Sequence, residues 1–401
     1  MDAKALKNKF IGEITFWKVV FALIMMVGLY ATYIRFFHGL GASTNLSDEF
    51  PWGLWVAFDV MTGVGLAAGG FTLAAVVYIF NIKAFKPIVR PAILTAFLGY
   101  TLVIVGLLFD LGKPWNVWHP LVMWNPHSVM FEVGWCVMLY TTVLALEFSP
   151  IVFEKFRLEK PLKIIKSITI PLVILGVVLS TLHQSSLGSL FLIVPEKMHA
   201  LWYTPMLPVM FFVSAVMIGF AMVIFEGYLS SRAFNKPIEK SLFMELARGA
   251  VFVMMLYLTL KFLDFARRDT FAYLFQPTFE TMMFWLEMGV GIVIPSILLG
   301  VPKIRRNQTA LFWGSSFMVV GFIMNRLNVG ITSLQGWAEG SYFPSFLEIS
   351  VTMMIVAIGF AVFRYVAKNF PVFEETTPIP AGQMKKVKVS VKPKAALLES
   401  N

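Results

Sequence analysis

The sequence predicts an all-α, polytopic integral membrane protein with about ten transmembrane helices, and three observations support this fold class. Hydrophobic residues make up 58% of the chain and charged residues only 14%, with a mean hydropathy of +0.75. Ten apolar blocks can be drawn, each near the ~20 residues that a helix needs to cross a bilayer core of ~30 Å. Cationic residues alternate between the two sides of these blocks, as in multi-pass proteins.

The apolar blocks are joined by short connections, which predicts one membrane domain and no inserted soluble domain. We assign this domain to residues 15–369, after a cytoplasmic N-terminus at residues 1–14. Residues 370–401 form a basic tail rich in proline and lysine, which we expect to be disordered in the cytoplasm. The blocks lie at residues 15–37, 54–80, 91–111, 127–148, 164–183, 205–229, 242–263, 281–300, 308–326 and 346–367.

The cations assign an orientation to these blocks. If the N-terminus is cytoplasmic, 25 of the 33 lysines and arginines flank inner ends, seven flank outer ends, and Arg248 lies within a block. This asymmetry follows the positive-inside rule and predicts a bacterial inner-membrane protein with both termini in the cytoplasm. The net charge of +10 therefore reflects orientation in the lipid bilayer and does not indicate binding to nucleic acid. The seven outer cations are Arg35, Lys113, Lys197, Lys261, Arg267, Arg268 and Arg326.

A faint duplication divides the middle of the chain. Asp110 ends the third block and Glu132 starts the fourth, 22 residues later. Asp264 ends the seventh block and Glu287 starts the eighth, 23 residues later. The second to fifth and the sixth to ninth blocks could thus form two related four-helix bundles, with two further helices outside them. The signal is weak, and coincidence is the alternative to common ancestry.

Ionisable residues within a membrane span are costly, so each is a candidate functional residue. Glu132 lies near the outer end of the fourth block and Glu147 near its inner end. At 100° per residue they are about 60° apart around the helix axis and roughly 22 Å apart along it. Cys136 and Tyr140 share this stripe, which suits a proton route. The alternative is two unrelated acids, one at each interface.

Further candidates face the predicted interior, each with a simpler explanation. Tyr100 would also serve as a packed tyrosine, and Arg90 and Glu226 as interfacial residues that snorkel or form ion pairs. Arg248 needs an acidic partner if it lies deep in its helix, and Glu245 or Glu226 could supply one. Asp59 precedes Thr62 and Gly63 by one turn, so a ligand or a neighbouring backbone could approach it closely.

The histidines and the single cysteine restrict the redox chemistry. A dihaem cytochrome b needs axial histidine pairs within helices near both faces, and the five histidines all fall at or beyond outer ends. A single outer haem stays open as a lesser alternative. Cys136 alone cannot hold an iron–sulfur cluster, so electrons must come from a partner's cofactors and leave on a bound carrier. The histidines are His38, His119, His127, His183 and His199.

The sequence Leu-His-Gln-Ser-Ser at residues 182–186 is predicted to end the fifth helix with a dense polar set. Such groups suit the binding of a quinone carbonyl and the delivery of a proton to it, and helix capping is the alternative. Nine of the eleven tryptophans also fall on the outer side. An interfacial aromatic belt should occupy both faces, so this excess favours a surface for a partner and a ring-shaped ligand.

Six stretches together resemble the membrane subunit of hydrogenase-2-type nickel–iron hydrogenases. That subunit belongs to the NrfD-like family, which also contains the polysulfide-reductase membrane subunit, and the resemblance spans the ten-helix region. The stretches are FPWGLWVAFD at 50–59, VRPA at 89–92, SVMFE at 128–132, ALEFSP at 145–150, LHQSSLGS at 182–189 and VIFEG at 223–227.

The resemblance implies a haem-free, quinone-reactive anchor that transfers electrons between periplasmic partners and menaquinone. Those partners would be a ferredoxin-like iron–sulfur subunit and the large and small subunits of a nickel–iron hydrogenase, although related anchors serve other periplasmic oxidoreductases. The family's acidic positions match Asp59, Glu132, Glu147 and Glu226, and its histidine after the fifth helix matches His183.

Three functions follow as hypotheses. In the first, an electron-transfer anchor holds quinone at Asp59, Glu132 and His183, and a proton route runs through Tyr100, Glu147, Glu226 and Arg90. In the second, the buried acids serve a proton-coupled secondary transporter, although no matched pair of broken helices marks a substrate site. In the third, the chain is a structural anchor without quinone chemistry. The sequence predicts no metal-binding residues.

Overall fold

A computed structural model describes residues 15–50, 52–235, 240–338 and 341–373. These residues are helical and form no strand, and ten of their helices are long and apolar enough to cross a membrane. The predicted all-α fold with ten spans is therefore confirmed, while the predicted N-terminal segment and most of the predicted tail lie outside the described residues. The helices are α1 (Phe16–His38), α2 (Trp55–Ile79), α3 (Lys83–Asp110), α4 (Val129–Lys155), α5 (Thr169–Ile193), α6 (Leu207–Phe234), α7 (Lys240–Arg267), α8 (Phe279–Gly300), α9 (Gln308–Gln335) and α10 (Phe346–Asn369).

Eight of these helices form two four-helix bundles that lie side by side. In the first bundle α2 packs on α3, α3 on α4, α4 on α5, and α5 returns to α2. Helices α6 to α9 repeat this order in the second bundle. Helix α6 also packs against α2 and α5, and α9 against α2, while α1 and α10 pair beside α3. This is the division into two bundles and two extra helices that the spacing of the acids predicted.

Helix α2 lies at the centre of the molecule and needs small residues to fit there. Of its most apolar 18 residues 78% are buried, compared with 17% for α1, whose side chains largely face outward. A Cβ atom on Gly70 would lie only 2.5 Å from the Cβ of Ala96 on α3, and one on Gly65 would collide with the ring of Phe322 on α9. Glycine at these positions therefore permits close contacts between helices.

Several helices contain π-helical turns, which shift the direction of the side chains that follow. They occur in α2 at Trp55–Thr62 and Ala75–Ile79, in α8 at Gly289–Val293 and in α9 at Asn328–Thr332. Such turns are rare and are frequent at functional sites. Three of them lie at buried polar residues, since Asp59 falls within the first, Asn328 begins the turn in α9, and Glu287 lies two residues before the turn in α8.

Helix α5 is longer than the sequence predicted, and the expected helix end at His183 is wrong. The helical span continues to Ile193, so His183 lies ten residues, or roughly 15 Å, before its end. The serines that follow do not break the helix because their hydroxyls donate back to its carbonyls. Ser186 donates to the oxygen of His183 at 3.0 Å and Ser189 to that of Ser185 at 3.3 Å.

Three cations expected at the outer ends of blocks lie inside the protein instead. Arg35, Lys261 and Arg326 are 3%, 7% and 1% exposed. Arg35 donates at 2.6 Å to the carbonyl oxygens of Phe109 and Leu111, where it satisfies the C-terminal end of α3. Arg248 was expected within its helix as a buried cation, but its side chain is 55% exposed.

Arg248 pairs with Glu245, one of its two predicted partners, and their nearest side-chain atoms are 2.6 Å apart. Both side chains are about half exposed, so this pair lies on the surface of α7 and not in a bundle interior. Exposed pairs of this kind contribute little to stability. Arg248 therefore carries no functional argument here.

Candidate functional site

Helices α3, α4 and α5 bring two tyrosines and a histidine together inside the first bundle. The ring of Tyr100 meets that of Tyr140 edge-on, with centroids 4.6 Å apart, and lies 5.6 Å from the ring of His183. Their exposures are 0%, 1% and 0%. Ser180 and Gln184 on α5 adjoin the hydroxyl of Tyr100. We call these five residues the first-bundle cluster.

The polar atoms of this cluster are largely unpaired. Among the described residues, the hydroxyls of Tyr100, Tyr140 and Ser180 and both ring nitrogens of His183 have no hydrogen-bond partner. Gln184 donates to the carbonyl oxygen of Val64 on α2 at 3.2 Å. Buried polar groups are nearly always hydrogen-bonded, so this concentration favours partners that are not protein atoms. A quinone carbonyl, or water, can accept from these donors.

Glu147 follows Tyr140 toward the C-terminal end of α4 and lies on the same face of the helix. The two residues are two helical turns, or roughly 10 Å, apart. Gly176 of α5 leaves room between them: a Cβ atom there would lie 3.4 Å from the Oε1 of Glu147 and 3.7 Å from the ring of Tyr140. The inner half of the predicted stripe on α4, including buried Val143, therefore faces the first-bundle cluster.

Glu132, at the other end of that stripe, is exposed in the first turn of α4. The N-terminal end of a helix favours a negative charge, which gives this position a local stabilising role. No hydrogen bond in the described ranges joins Glu132 to Asp59 or His183. The structure thus separates the outer and inner parts of the predicted stripe.

Asp59 faces α3 and α10. The hydroxyl of Thr352 on α10 donates to its Oδ2 at 2.6 Å, and a Cβ atom on Gly106 of α3 would lie 2.7 Å from its Cβ. Asp110 and Glu348 are further carboxylates in this region. Asp59 therefore belongs to an acidic group at the interface between α3 and α10.

Glu348 in this acidic group also fixes a connection outside the membrane. The hydroxyl of Tyr342 donates to its Oε1 at 2.5 Å, and the backbone amide of Asn45 donates to its Oε2 at 3.1 Å. Burial, together with the adjacent carboxylate, raises the pKa of Tyr342 well above its usual range. Tyr342 therefore stays protonated and keeps donating to Glu348 throughout the physiological pH range.

Glu226 and Arg90 have different environments near the inner ends of their helices. Thr95 of α3 donates to the Oε2 of Glu226 at 2.7 Å, while its buried Oε1 has no partner within the described residues. Glu226 thus enters the first bundle from α6. Arg90 binds both carboxylate oxygens of Glu154 at 2.8 and 3.1 Å and donates to Pro371, as the interfacial pairing alternative predicted.

The sequence analysis missed a second buried polar group, in the second bundle. The carboxylate of Glu287 accepts from Asn325 at 2.9 Å, Asn328 at 2.8 Å and the indole nitrogen of Trp202 at 3.0 Å. Lys261 completes this group at 4.0 Å. Glu287 entered the sequence analysis only through its spacing from Asp264, which was the available signal. We call these five residues, together with Arg326, which donates to Asn325, the second-bundle cluster. Asp264 is a neighbour of this cluster and not a member.

Two cavities lie beside the second-bundle cluster. The residues that line the first cavity include Lys261, Asp264 and Arg326. The residues that line the second include Glu287 and Gly291. Each offers about 20 Å³ to the centre of a water-sized sphere. This is the room that one water molecule or one small ion needs.

The connection between α3 and α4 presents an apolar surface. Trp115, Trp118 and Trp124 are 68%, 51% and 64% exposed. Trp124 stacks edge-on against Trp135 of α4 at 4.8 Å, and the indole of Trp135 donates to Pro120 at 2.8 Å. The loop is therefore held against the bundle with its tryptophans pointing outward. Other outer tryptophans build the interior instead, as Trp202 does.

The two bundles and the first-bundle cluster define a polytopic membrane protein with unpaired proton donors in its interior. The chain belongs to the NrfD polysulphide reductase family, whose model matches residues 42–336. The family predicted from the six sequence stretches is therefore confirmed.

Three relatives cover nearly the whole chain. A protein of Nitratidesulfovibrio vulgaris (strain Hildenborough) is 39% identical over 368 residues, which are 89% of this chain and 94% of the relative. The probable Ni/Fe-hydrogenase 2 b-type cytochrome subunit of Escherichia coli (strain K12) is 33% identical, over 88% of this chain and 91% of the relative. The integral membrane subunit of a menaquinone reductase of N. vulgaris is 28% identical, over 91% and 93%.

Proposed function

We propose that this protein is the quinone-reactive membrane anchor of a periplasmic nickel–iron hydrogenase, residing in a bacterial inner membrane. It would transfer electrons between the iron–sulfur clusters of its partners and menaquinone. The unpaired donors of the first-bundle cluster carry the proposal, because a quinone needs protons as well as electrons. Similarity to the hydrogenase 2 subunit and to the menaquinone reductase subunit supports the partner and the quinone.

Reduction of one menaquinone to menaquinol takes up two electrons and two protons. The electrons arrive from the partner's clusters, and the chain's own residues deliver the protons. His183 and Tyr100 are the proposed hydrogen-bond donors to a quinone carbonyl oxygen, which becomes a hydroxyl. Because their own polar atoms have no protein partners among the described residues, they can turn toward this oxygen without breaking an existing hydrogen bond.

The proposed proton route connects this site with the cytoplasmic side. It runs from Glu147 past Gly176 to Tyr140, then to Tyr100 and His183, with water bridging the wider gaps. Glu226, held by Thr95 of α3, is a second acid at the inner side of the same bundle. The cation of Arg90 lies at the cytoplasmic entrance, where its ion pair with Glu154 can exchange partners with solvent.

Glu132 and Asp59 are proposed to act on the periplasmic side. Glu132 is exposed near the outer end of α4, where protons released by quinol oxidation would leave. Asp59 is enclosed by α3 and α10 and would exchange protons with the quinone site along α2. In this proposal the two acids serve the outer side of the quinone site and do not contact the same atom of the ring.

The partner subunit is proposed to dock on the loop that carries Trp115, Trp118 and Trp124. Exposed aromatic residues are typical of the anchors of protein interfaces. The partner would be the ferredoxin-like iron–sulfur subunit, which in turn contacts the large and small hydrogenase subunits. A different periplasmic oxidoreductase of the same type remains the alternative partner.

A proton-coupled transporter is the rival function, and the helix irregularities disfavour it. The π-helical turns lie in α2, α8 and α9. By bundle order α2 corresponds to α6, α8 to α4 and α9 to α5, so among the described residues no π-helical turn recurs in corresponding helices. Transporters of this kind usually break corresponding helices of their two halves.

The test of the proposed function is purification from membranes, followed by a quinone assay. The preparation should contain iron–sulfur and hydrogenase subunits and should reduce a menaquinone analogue with hydrogen. Replacing His183 by glutamine should abolish this reaction while dye reduction by the hydrogenase continues, and replacing exposed His38 should leave both intact. Purification of the chain alone, without redox subunits or quinone, would favour the transporter.

A further inference from the structure

The second bundle buries two cations within its spanning helices. Lys261 and Arg326 are 7% and 1% exposed, although both lie within spanning helices. Charged side chains in such positions are rare and normally have a charged partner. The neighbouring carboxylates are Asp264 and Glu287, which are also buried.

Arg326 has only neutral hydrogen-bond partners. It donates to Asn325 at 2.7 Å, to Ser214 at 2.7 Å and to the carbonyl oxygen of Phe211 at 3.4 Å. Its Nε has no hydrogen-bond partner in the described part of the chain. The rings of Phe211 and Phe322 lie 3.8 and 4.4 Å from the guanidinium carbon, which offsets only part of the cost of burying it.

Lys261 also lacks hydrogen-bond partners among the described residues. Its nearest carboxylate oxygen, Oε1 of Glu287, is 4.0 Å away, too far for a hydrogen bond. That carboxylate already accepts from Trp202, Asn325 and Asn328. The other close neighbours of the ammonium are aromatic, with the ring of Phe284 nearest at 5.1 Å. Within the described residues its hydrogen atoms therefore have no acceptor at hydrogen-bond distance.

Both cations line one cavity. Arg268 is a third cation in its wall and Asp264 is the one carboxylate, and these two are paired at 2.7 Å. Glu287 lies beside the wall and balances one of the remaining two cations. One positive charge is left over. The cavity gives about 20 Å³ to the centre of a water-sized sphere, which is room for one water molecule or one small ion.

We propose that this cavity binds one monatomic anion of the size of chloride, held between the ammonium of Lys261 and the guanidinium of Arg326. The anion would accept the hydrogen bonds that both cations lack and would balance the remaining charge. The small volume disfavours phosphate, sulfate and carboxylates. This site is separate from the first-bundle cluster and does not depend on the proposed quinone chemistry.

The thermal stability of the full-length protein in detergent tests this proposal. At constant ionic strength, replacing sodium gluconate by sodium chloride or bromide should raise the apparent Tm by several degrees in a saturable way, because the anion binds only the folded state. Sodium sulfate should give no such rise. Lys261→Met should lose the effect of chloride, and Lys113→Met, which alters an exposed lysine, should retain it.

Crystals soaked in bromide provide a readout that does not depend on a variant. An anomalous peak between the Nζ of Lys261 and the guanidinium of Arg326 is the expected result. Equal Tm values in all anions, or a chloride effect that survives in Lys261→Met, would overturn the proposal. Water alone at this position would also overturn it. If Lys261→Met does not fold, the bromide experiment decides.

Discussion

The ring of Tyr100 on α3 stands edge-on to the ring of Tyr140 on α4, at an interplanar angle of 80°. This contact fixes two phenol groups in the dry interior of the first bundle, next to His183. Edge-to-face pairs are favourable beyond the burial of their area, so the rings hold the helices together. Their hydroxyls make no hydrogen bond with the described residues, so the hydroxyls, and not the rings, are the groups on which the proposed proton route depends.

Replacing Tyr100 or Tyr140 by phenylalanine should therefore impair function without unfolding the protein. The rings keep their packing, while the proton-carrying hydroxyl is lost. We expect hydrogen-dependent reduction of a menaquinone analogue to fall at least about 10-fold in each variant. Tyr33→Phe is a matched control, because Tyr33 is 51% exposed on α1. Normal quinone reduction in both interior variants would show that the two tyrosines take no part in the proton route.

The two glutamates of α4 should have different effects when each is replaced by glutamine. Glutamine keeps the volume and the hydrogen bonding of the side chain but cannot exchange a proton near pH 7. Glu132→Gln should slow quinone reduction with hydrogen, and dye reduction by the partner should stay normal. Glu147→Gln should chiefly slow quinol-driven hydrogen production.

An uncoupler separates these two effects, because it removes the membrane potential against which protons move. The defect of Glu147→Gln should shrink when the uncoupler is added, and that of Glu132→Gln should not. The measurement is hydrogen production and consumption in membrane vesicles. If both variants behave like the wild type in both directions, the glutamates have a structural role only.

Gly70→Ala should destabilise the protein by about 1–3 kcal/mol through overpacking. The added methyl would lie 2.5 Å from the Cβ of Ala96 and 3.3 Å from the carbonyl oxygen of Ala92, and the backbone cannot yield cheaply. The apparent Tm in detergent measures this change. Gly41→Ala is the matched control, since a Cβ atom there meets nothing within 4 Å. Equal losses at both positions would contradict the close packing of α2 against α3.

Replacing Trp115, Trp118 and Trp124 by alanine should release the partner subunits from membranes. If one of them is an interface hot spot, its loss should weaken binding by at least about 2 kcal/mol, or about 30-fold. Co-purification measures this, with the anchor itself still found in the membrane fraction. Trp313→Ala is a suitable control because it removes an exposed tryptophan from the opposite end of the molecule. Unchanged co-purification would move the docking surface elsewhere.

The purified subunit should show no haem b absorption in a reduced-minus-oxidised spectrum. A haem needs two axial ligands or one ligand with room above it, and His183 is the one histidine fully buried within the described spans. A pyridine haemochrome assay measures the haem content directly. A stoichiometric signal would agree with the b-type cytochrome name of the E. coli relative and would point first to His183 and His127.

The number of spans and their grouping could be predicted because both depend on features that are local in the sequence. Apolar length marks each span, and the acidic pairs such as Asp264 and Glu287 mark a repeated connection. The end of α5 could not be predicted in this way. Serines after His183 look like a helix terminus, but their hydroxyls bond back to the helix, and no local signal distinguishes these two uses.

The candidate site was predicted in part. Tyr100, Glu147 and His183 do converge on the first bundle, but Glu132 and Asp59 face other neighbours. Residue spacing gives the face of a helix only while the helix is regular, and Asp59 lies in a π-helical turn. Arg326 was assigned to the outer surface because charge alone suggested it. The side chains that enclose this charge come partly from another helix, so only the tertiary packing identifies them.

Helix α6 contacts polar residues of both bundles, near its two opposite ends. Ser214 and Phe211 bind Arg326 in the second bundle, while Glu226, three to four turns further on, is held by Thr95 in the first. A tilt or axial shift of this helix alters both sites at once. Substitutions in the two bundles should therefore show energetic coupling, and single variants cannot apportion an effect between them. Double-mutant cycles that combine one substitution in each bundle measure this coupling.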